Sequence, residues 1–360
     1  MRIAISGYYG FGNAGDEAVL SATLAELRRR MPDAEIVVLS ADRDATRDAH
    51  DVRAASRWPP GALRRTIAAT DLLLSGGGSL LQDATSARSL MYYLLTLHCA
   101  RAAGVPYVIH AQGLGPLGGW WARRAAAYSL ARAAAVTLRD EASAQLAREL
   151  GVPDQLVTVA ADPAFLLEPA AQAEADALLA EAGADSAGPL LGMVVREWRG
   201  ARDLLPGLAR VGRLAAEQWG AQVVVLPFSP VADAEVSHEL AALLPDAALI
   251  EADLHPRVLM AAIGRLSALV AMRLHALVFA AAQAVPAVGI SYDPKVEALC
   301  AAAGQSWTRV DGSGRLVELV EYAWAQRESG REARRECAAR MRERAGRAFD
   351  VIERVCAELP

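Results

Sequence analysis

Short apolar segments separated by helical stretches recur along this chain, and no other feature limits its fold so strongly. Residues 2–6, 36–40, 72–75, 107–111, 135–138 and 156–159 read as strands, β-branched or leucine-rich through most of their length. Residues 17–30, 87–103 and 122–133 read as helices between them. Strands that are apolar on both faces and alternate with helices imply a parallel sheet covered on both sides. The rhythm pauses over an alanine-rich stretch at 168–181 and a glycine, serine and proline run at 182–189, where a domain junction is expected. It resumes with strands at 190–195, 222–226, 247–250, 268–271 and 287–290. The pattern predicts two α/β domains, 1–168 and 190–315, joined by a linker at 169–189 and facing each other across a cleft. Residues 316–360, interrupted at Ser329-Gly330, read as a helical segment packing back on the body.

Composition narrows the function classes. The chain has 360 residues, 53% of them hydrophobic, which is ample for buried cores and excludes general disorder. Basic and acidic residues number 37 and 42, so no global positive field of the kind a general nucleic-acid binder uses is present. Cys99, Cys300, Cys337 and Cys356 are far apart and form no CxxC pair, which speaks against a zinc ribbon, an iron–sulfur cluster or a disulfide scaffold. No metal ligand set is expected. The N-terminus runs straight into a strand without the features of a secretory signal, and the alanine-rich stretches are broken by arginine, glutamate or histidine. A cytoplasmic protein is expected, with any membrane contact peripheral. Lys295 is the only lysine, every other basic residue of the 37 being arginine. A site that needs a compact ammonium explains that exception; chance retention on an arginine-biased surface is the competing reading.

Three glycine-rich turns follow strands. In the first, Gly10, Gly12 and Gly15 match GxGxxG, and Asp42 follows the next strand as a dinucleotide site would require. The placement is poor, because Gly7 to Phe11 are interposed and Asp16-Glu17 put two negative charges at the helix entrance. A structural turn capped by Asp16, or a loop for another ligand using Gly10, Asn13 and Asp16, fits better. The second turn, Gly76-Gly77-Gly78, permits close approach of an anion to backbone N–H groups, but no Walker lysine follows. The third, Gln112-Gly113-Leu114-Gly115-Pro116, adds Gln112 to the candidates. Three such loops at successive strand ends describe one rim of a binding site.

The densest chemistry lies in the second half: Arg273-Leu274-His275 and Tyr292-Asp293-Pro294-Lys295, each after a strand. Consecutive parallel strands of this kind leave the sheet at the same edge, so the three basic residues can share a pocket. Arginine holds an oxyanion through a fork, lysine neutralises another, and histidine transfers a proton near neutral pH, which together suit a small substrate bearing phosphate and carboxylate. Arg139 can add charge or pair with Asp140 or Glu141. Arg196 and Trp198 are candidates for an anion and a sugar, Asp162-Pro163 for a cap or turn, and His255-Pro256 for a helix start. His50, His98, His110 and His238 receive no catalytic role. Trp120-Trp121 before Arg123-Arg124 either present a lipid-linked molecule at a membrane surface or pack into the core.

Taken in order, GYYGFGNAGDEA, LLLSGGGSLLQD, QGLGP, TLRDEAS, ADPAF, MRLHA and SYDPK resemble the polysaccharide pyruvyl transferase family, particularly its bacterial CsaB-like members. The resemblance implies a GT-B-like fold of two Rossmann-like domains, the first on the acceptor side and the second on the donor side. It implies transfer of pyruvate from phosphoenolpyruvate to a hydroxyl pair on a sugar, giving a cyclic ketal and phosphate. For CsaB-like members the acceptor is a lipid-linked, N-acetylmannosamine-containing precursor of a secondary cell-wall polymer, and the ketal supports anchoring of surface-layer proteins. By position, His275 corresponds to the family's catalytic histidine, Lys295 to its donor-binding lysine and Arg139 to a further donor-binding arginine; Arg273 and Arg196 follow less directly. Phosphoenolpyruvate is then a substrate and no cofactor is required. Two other classes remain: a glycosyltransferase taking a nucleotide sugar, with Glu297 toward the ribose, and a carbohydrate-binding protein without turnover. The oligomeric state is not legible.

Overall fold

The computed structural model describes residues 1–359 apart from 85, 245, 252 and 253, with side chains undescribed at 312 and 313. It divides into two units, Met1–Leu167 with the chain from Arg342 onward, and Glu168–Met341. In the first unit, β1 (Arg2–Ser6) lies inside the sheet because Ile3, Ala4 and Ile5 leave no face for water; all three are fully buried. Around it stand β2 (Glu35–Ser40), β3 (Arg53–Ser56), β4 (Leu72–Gly76), β5 (Tyr107–Gln112), β6 (Ala135–Leu138) and β7 (Val157–Val159), in the order β3-β2-β1-β4-β5-β6-β7. The strand pairs are parallel throughout.

The second unit repeats the plan with β8 (Leu190–Val194), β9 (Gln222–Val225), β10 (Ala248–Leu249), β11 (Ala268–Ala271), β12 (Ala287–Ser291) and β13 (Ser306–Arg309), in the order β10-β9-β8-β11-β12-β13. Its pairs are parallel as well. Both sheets are Rossmann-like, and each has one place where the strand order reverses, between β1 and β4 and between β8 and β11. In open parallel sheets ligands bind outside the carboxyl ends of the strands at such a reversal.

Two strands lie outside the sequence expectation, and both are sheet edges. β3 is Arg-Ala-Ala-Ser with no fully buried residue, and β13 is Ser-Trp-Thr-Arg with Thr308 alone buried, so neither carries the apolar run of an interior strand. The span 169–189 contains a helix, Gln172–Glu181, which packs on the helix Pro256–Gly264 within the second unit; Asp176 there takes a 2.6 Å ion pair from Arg265. The terminal stretch forms helices Leu316–Ala325 and Arg331–Ala357. The former belongs to the second core, where Trp324 stacks on Trp219 at 4.4 Å between ring centres. The last residues complete the first core instead: Phe349 and Ile352 are fully buried with Ile3 and Leu24. Arg30 fastens this end by ion pairs to Asp350 and Glu353 at 2.7 and 2.9 Å.

Candidate functional site

The second unit gathers its polar residues where its strand order reverses. Arg196 and Trp198 follow β8, Arg273 and His275 follow β11, and Tyr292 to Lys295 follow β12. β11 and β12 pair in parallel, so the last two groups leave from one edge. The helix Leu274–Ala282 begins directly after Arg273, which puts half-buried His275 in its first turn. The helix Pro294–Ala303 is capped by Asp293, whose Oδ1 accepts from the Lys295 backbone N–H at 3.1 Å. The other carboxylate oxygen of Asp293 pairs with Lys295 Nζ, also at 3.1 Å.

Arg273 is already held. Its Nε and Nη2 donate to the two carboxylate oxygens of Asp233 at 2.9 and 2.6 Å, and Asp233 is fully buried. Asp233 also accepts from the backbone N–H groups of Ser229 and Glu197. This fork ties the end of β11 to the loop after β9, which Asp233 joins in turn to the loop after β8 through Glu197, and it neutralises a buried carboxylate, so two donors expected for substrate are engaged within the fold.

Tyr292, which sequence reasoning passed over although it stands in SYDPK, joins the remaining cations. Arg196 Nη1 donates to its hydroxyl at 2.5 Å, the Arg196 guanidinium lies 4.7 Å from its ring centre, and Lys295 Nζ lies 5.8 Å from the same centre. Trp198 packs beside it at 4.9 Å. Arg196 Nε is buried with no hydrogen-bond partner among the described residues. Beside this cluster is a cavity of about 670 Å³, walled by Trp198, Asp203, Ser291, Tyr292, Glu297 and Arg309 among others. Glu297 Oε1 in that wall accepts from Ser291 Oγ at 3.0 Å and Arg309 Nε at 3.1 Å.

The first unit assembles the three glycine turns and Arg139 at the carboxyl edge of β1, β4, β5 and β6. The helix Ala14–Arg30 is capped by Asn13, which accepts from Gly15 N at 3.1 Å; Asp16 sits inside the first turn and is not the cap. Glu17 restrains the loop, accepting from Gly10 N at 2.8 Å and contacting His50 Nε2 at 2.9 Å. Gly10 has φ +76°, and a Cβ there would stand 2.3 Å from Ser40 Oγ and 2.5 Å from Asp42 N. The fingerprint glycine therefore serves a close chain crossing. Gly78, φ +65°, would press a Cβ to 2.9 Å from Asp16 Oδ1, bringing the second turn against the first. Gly76 accepts a hydrogen bond from Tyr9 Oη at 3.0 Å, and Gly77 also has positive φ.

Gln112 is buried and braces two strands, its Nε2 donating to Ser75 O at 2.6 Å and Ser75 Oγ at 2.9 Å. Arg139, 8% exposed, donates to Ser79 Oγ at 2.9 Å and to Asp162 at 3.3 Å, with Asp140 3.6 Å away. Of the ion-pair partners weighed for Arg139, Asp140 stands near it and Glu141 pairs with Arg148 instead, while the nearer carboxylate is Asp162, from a different loop. Beneath the turns, burial pulls the His110 pKa down to about 4, and its ring meets Phe349 edge-on at 4.7 Å. A further cluster has no role assigned from the sequence: Tyr8 and Phe11 stack at 4.2 Å, with the Arg57 guanidinium 4.8 Å from Phe11 and 4.0 Å from Tyr92.

Among the described residues no group of three or more histidine, cysteine, aspartate or glutamate side chains is placed to hold a metal ion. Solved structures with the same fold include Anabaena Alr3699/HepE in complex with UDP and glucose, with a TM-score of 0.66 at 16% identity over all of both chains. UDP-GlcNAc 2-epimerase from Neisseria meningitidis bound to UDP-GlcNAc matches with a TM-score of 0.65 at 12% identity over 98% of this chain and 100% of that one. A putative UDP-N-acetylglucosamine 2-epimerase from Listeria monocytogenes gives 0.70 at 12% identity, covering 100% and 97%. At these identities the likeness establishes the fold, GT-B-like with two Rossmann-like units. No curated protein matches the sequence. The sequence profile of polysaccharide pyruvyl transferases matches residues 13–294, a span that holds Arg139, Arg196, Arg273 and His275 and stops one residue short of Lys295, and the chain belongs to that family.

Proposed function

We propose that the protein transfers pyruvate from phosphoenolpyruvate to two hydroxyls of a sugar, N-acetylmannosamine in a lipid-linked precursor of a secondary cell-wall polymer, working at the inner face of the membrane. The observation that carries this reading is the placement of His275 and Lys295 after adjacent parallel strands, with Arg196 bonded to Tyr292 beside them. Lys295 and Arg196 neutralise the phosphate and carboxylate; the unpartnered Arg196 Nε supports an oxyanion there. Arg273 holds Asp233 and orients the loop, and Arg139 is the first unit's anion-binding side chain. Gly10, Asn13, Asp16 and Gly76 to Gly78 shape the acceptor side, whereas Gln112 braces it and Trp198 offers a face to a sugar or donor.

The chemistry balances without a cofactor. A proton goes to C3 of the enol phosphate, one sugar hydroxyl adds to C2, and the C2–O bond to phosphate breaks with its electrons leaving on phosphate. The second hydroxyl then adds to C2 and closes the ketal. Of the two hydroxyl protons released, one balances that taken by C3 and the other leaves with phosphate. His275 is the group that moves a proton in this sequence, and Lys295 stabilises the departing charge.

A nucleotide-sugar glycosyltransferase is the second reading, favoured by the 670 Å³ cavity with Glu297 in its wall. Incubation with phosphoenolpyruvate and a lipid-linked amino-sugar acceptor, following acceptor mass and phosphate together, separates the two. Gain of a pyruvate ketal with stoichiometric phosphate supports pyruvyl transfer. Sugar transfer with release of a nucleotide overturns it, and tight acceptor binding without either product leaves a carbohydrate-binding protein.

A further inference from the structure

Away from the strand ends, the first unit carries an apolar groove of about 360 Å³ between the helices Ala87–Ala102 and Trp120–Leu130. Its lining includes Leu94, Leu97, Tyr107, Trp120, Trp121 and Tyr128. Trp120 is 79% exposed, Tyr128 45% and Trp121 37%, so the tryptophan pair does not pack into the core. The turn that presents the pair is fixed from behind: the Asp83 carboxylate accepts from Gly118 N at 2.9 Å and Gly119 N at 3.0 Å, and these bonds hold Asp83 below the usual carboxylate range. Exposed aromatics at a helix start, on a braced turn, are costly in water unless something covers them.

The charge around the groove says what covers it. Between Asp83 and Asp140 the sequence contains no acidic residue, in a chain whose formal net charge is -5, yet it holds arginines at 88, 101, 123, 124, 132 and 139; Arg139 is paired at the strand ends and Arg123 meets Glu149 at 4.0 Å. Arg101 and Arg124 line the groove itself. Arg132 lies 3.6 Å and Arg101 5.3 Å from the Tyr128 ring centre, which keeps their apolar stems along the aromatic surface and their charge at its margin. Tryptophan and tyrosine with a polar end, an apolar trough, and Arg101, Arg124 and Arg132 at its margin, match the boundary between headgroups and acyl chains of an anionic bilayer. The charged side chains that line the groove are Arg101 and Arg124, with no carboxylate among them, which suits an anionic surface.

We infer that this groove is a peripheral membrane-binding surface, taking the anionic headgroups on its arginines and the upper acyl chains among Trp120, Trp121 and Tyr128. No described helix is long and apolar enough to cross a membrane; aromatic side chains and arginines on a surface groove give reversible, interfacial attachment. The inference does not depend on pyruvyl transfer, because lipid binding needs neither donor nor turnover.

The test is sedimentation of the full chain with vesicles of mixed phosphatidylglycerol and phosphatidylcholine, against vesicles of phosphatidylcholine alone. Binding is expected to the anionic vesicles only, and to weaken as salt is raised. Replacing both Arg101 and Arg124 by alanine should weaken it about 20-fold, a few-fold for each basic residue near a charged surface. Trp120→Phe with Trp121→Phe keeps the fold and should abolish quenching of tryptophan emission by brominated acyl chains. Equal binding to both vesicle types, or binding unchanged in the arginine variant, overturns the inference. So does concentration-dependent self-association that the same substitutions remove, since the face would then join two copies of this chain.

Discussion

His110 gives the structure a pH dependence that can be measured without knowing the substrate. The imidazole is completely buried on β5 with Phe349 against its edge, and burial holds its folded pKa at about 4 against the ordinary 6.5. Between these values the unfolded chain binds a proton at this position and the folded chain does not, so stability falls as pH drops from 6.5 towards 4 and levels off below. At 1.36 kcal/mol per unit, the contribution amounts to about 1 kcal/mol lost by pH 5.5 and about 2 kcal/mol by pH 4.5, relative to pH 7. His110→Phe removes the titration and keeps an aromatic ring, with a small cost from added volume that is the same at every pH. The assay is urea unfolding of both proteins at pH 7, 5.5 and 4.5, read as the difference between them at each pH, with the His110 ring proton followed by NMR. The wild type should lose ground to the variant by those amounts. Parallel stability curves, or a His110 resonance titrating near 6.5, would refute the burial argument.

Two further outcomes follow from the second unit. Arg273→Ala leaves the Asp233 carboxylate buried without its fork and should cost about 3 kcal/mol or more in chemical unfolding, whereas a role in substrate binding alone would leave the unfolding midpoint unchanged. His275→Ala should leave the melting curve in place and lower pyruvyl transfer by about 100-fold or more, and near-normal turnover by the folded variant removes His275 from the mechanism.

The interior of both sheets was legible because strands buried on both faces must be apolar throughout. Ile3 to Ile5 and Leu72 to Leu74 carry that mark, whereas edge strands β3 and β13 do not. The partner of Arg273 was hidden because Asp233 stands 40 residues away and only the fold brings them together. Asn13 and Asp16 are both good cap residues; the helix begins at Ala14, so Asn13 caps it and Asp16 falls inside the first turn, a choice of start that the residue types alone do not make. For Trp120 and Trp121 the sequence favoured the core, yet both are exposed, since a helix start exposes whichever face its neighbours leave uncovered. Tyr292 lacked a titratable signature near neutral pH, yet it is the side chain through which Arg196 and Lys295 are linked.

Lys295 offers the strictest test of the donor site, because the same residue type is absent everywhere else in the sequence. Its ammonium is 3.1 Å from Asp293 Oδ2, while Asp293 Oδ1 caps the helix that begins at Pro294 by accepting the Lys295 backbone N–H. One carboxylate thus holds both the helix start and the cation. Arginine in place of lysine keeps the charge but brings a planar fork that pairs with a carboxylate through two nitrogens. A fork on Asp293 competes with the cap for Oδ1, and one turned away displaces the charge from above the Tyr292 ring, where Nζ now stands 5.8 Å from the centre. Either way the cation leaves the position proposed for the donor phosphate. Lys295→Arg should therefore lose at least about tenfold in kcat/KM for phosphoenolpyruvate, roughly 1.4 kcal/mol of transition-state stabilisation. Its melting temperature should hardly move, since Lys295 is partly exposed. Lys295→Ala should be worse, having lost the charge as well as the shape. Steady-state kinetics with varied phosphoenolpyruvate beside thermal melts decide the matter: wild-type efficiency in Lys295→Arg would mean that any cation serves at this position, and the single lysine would then be an accident of composition.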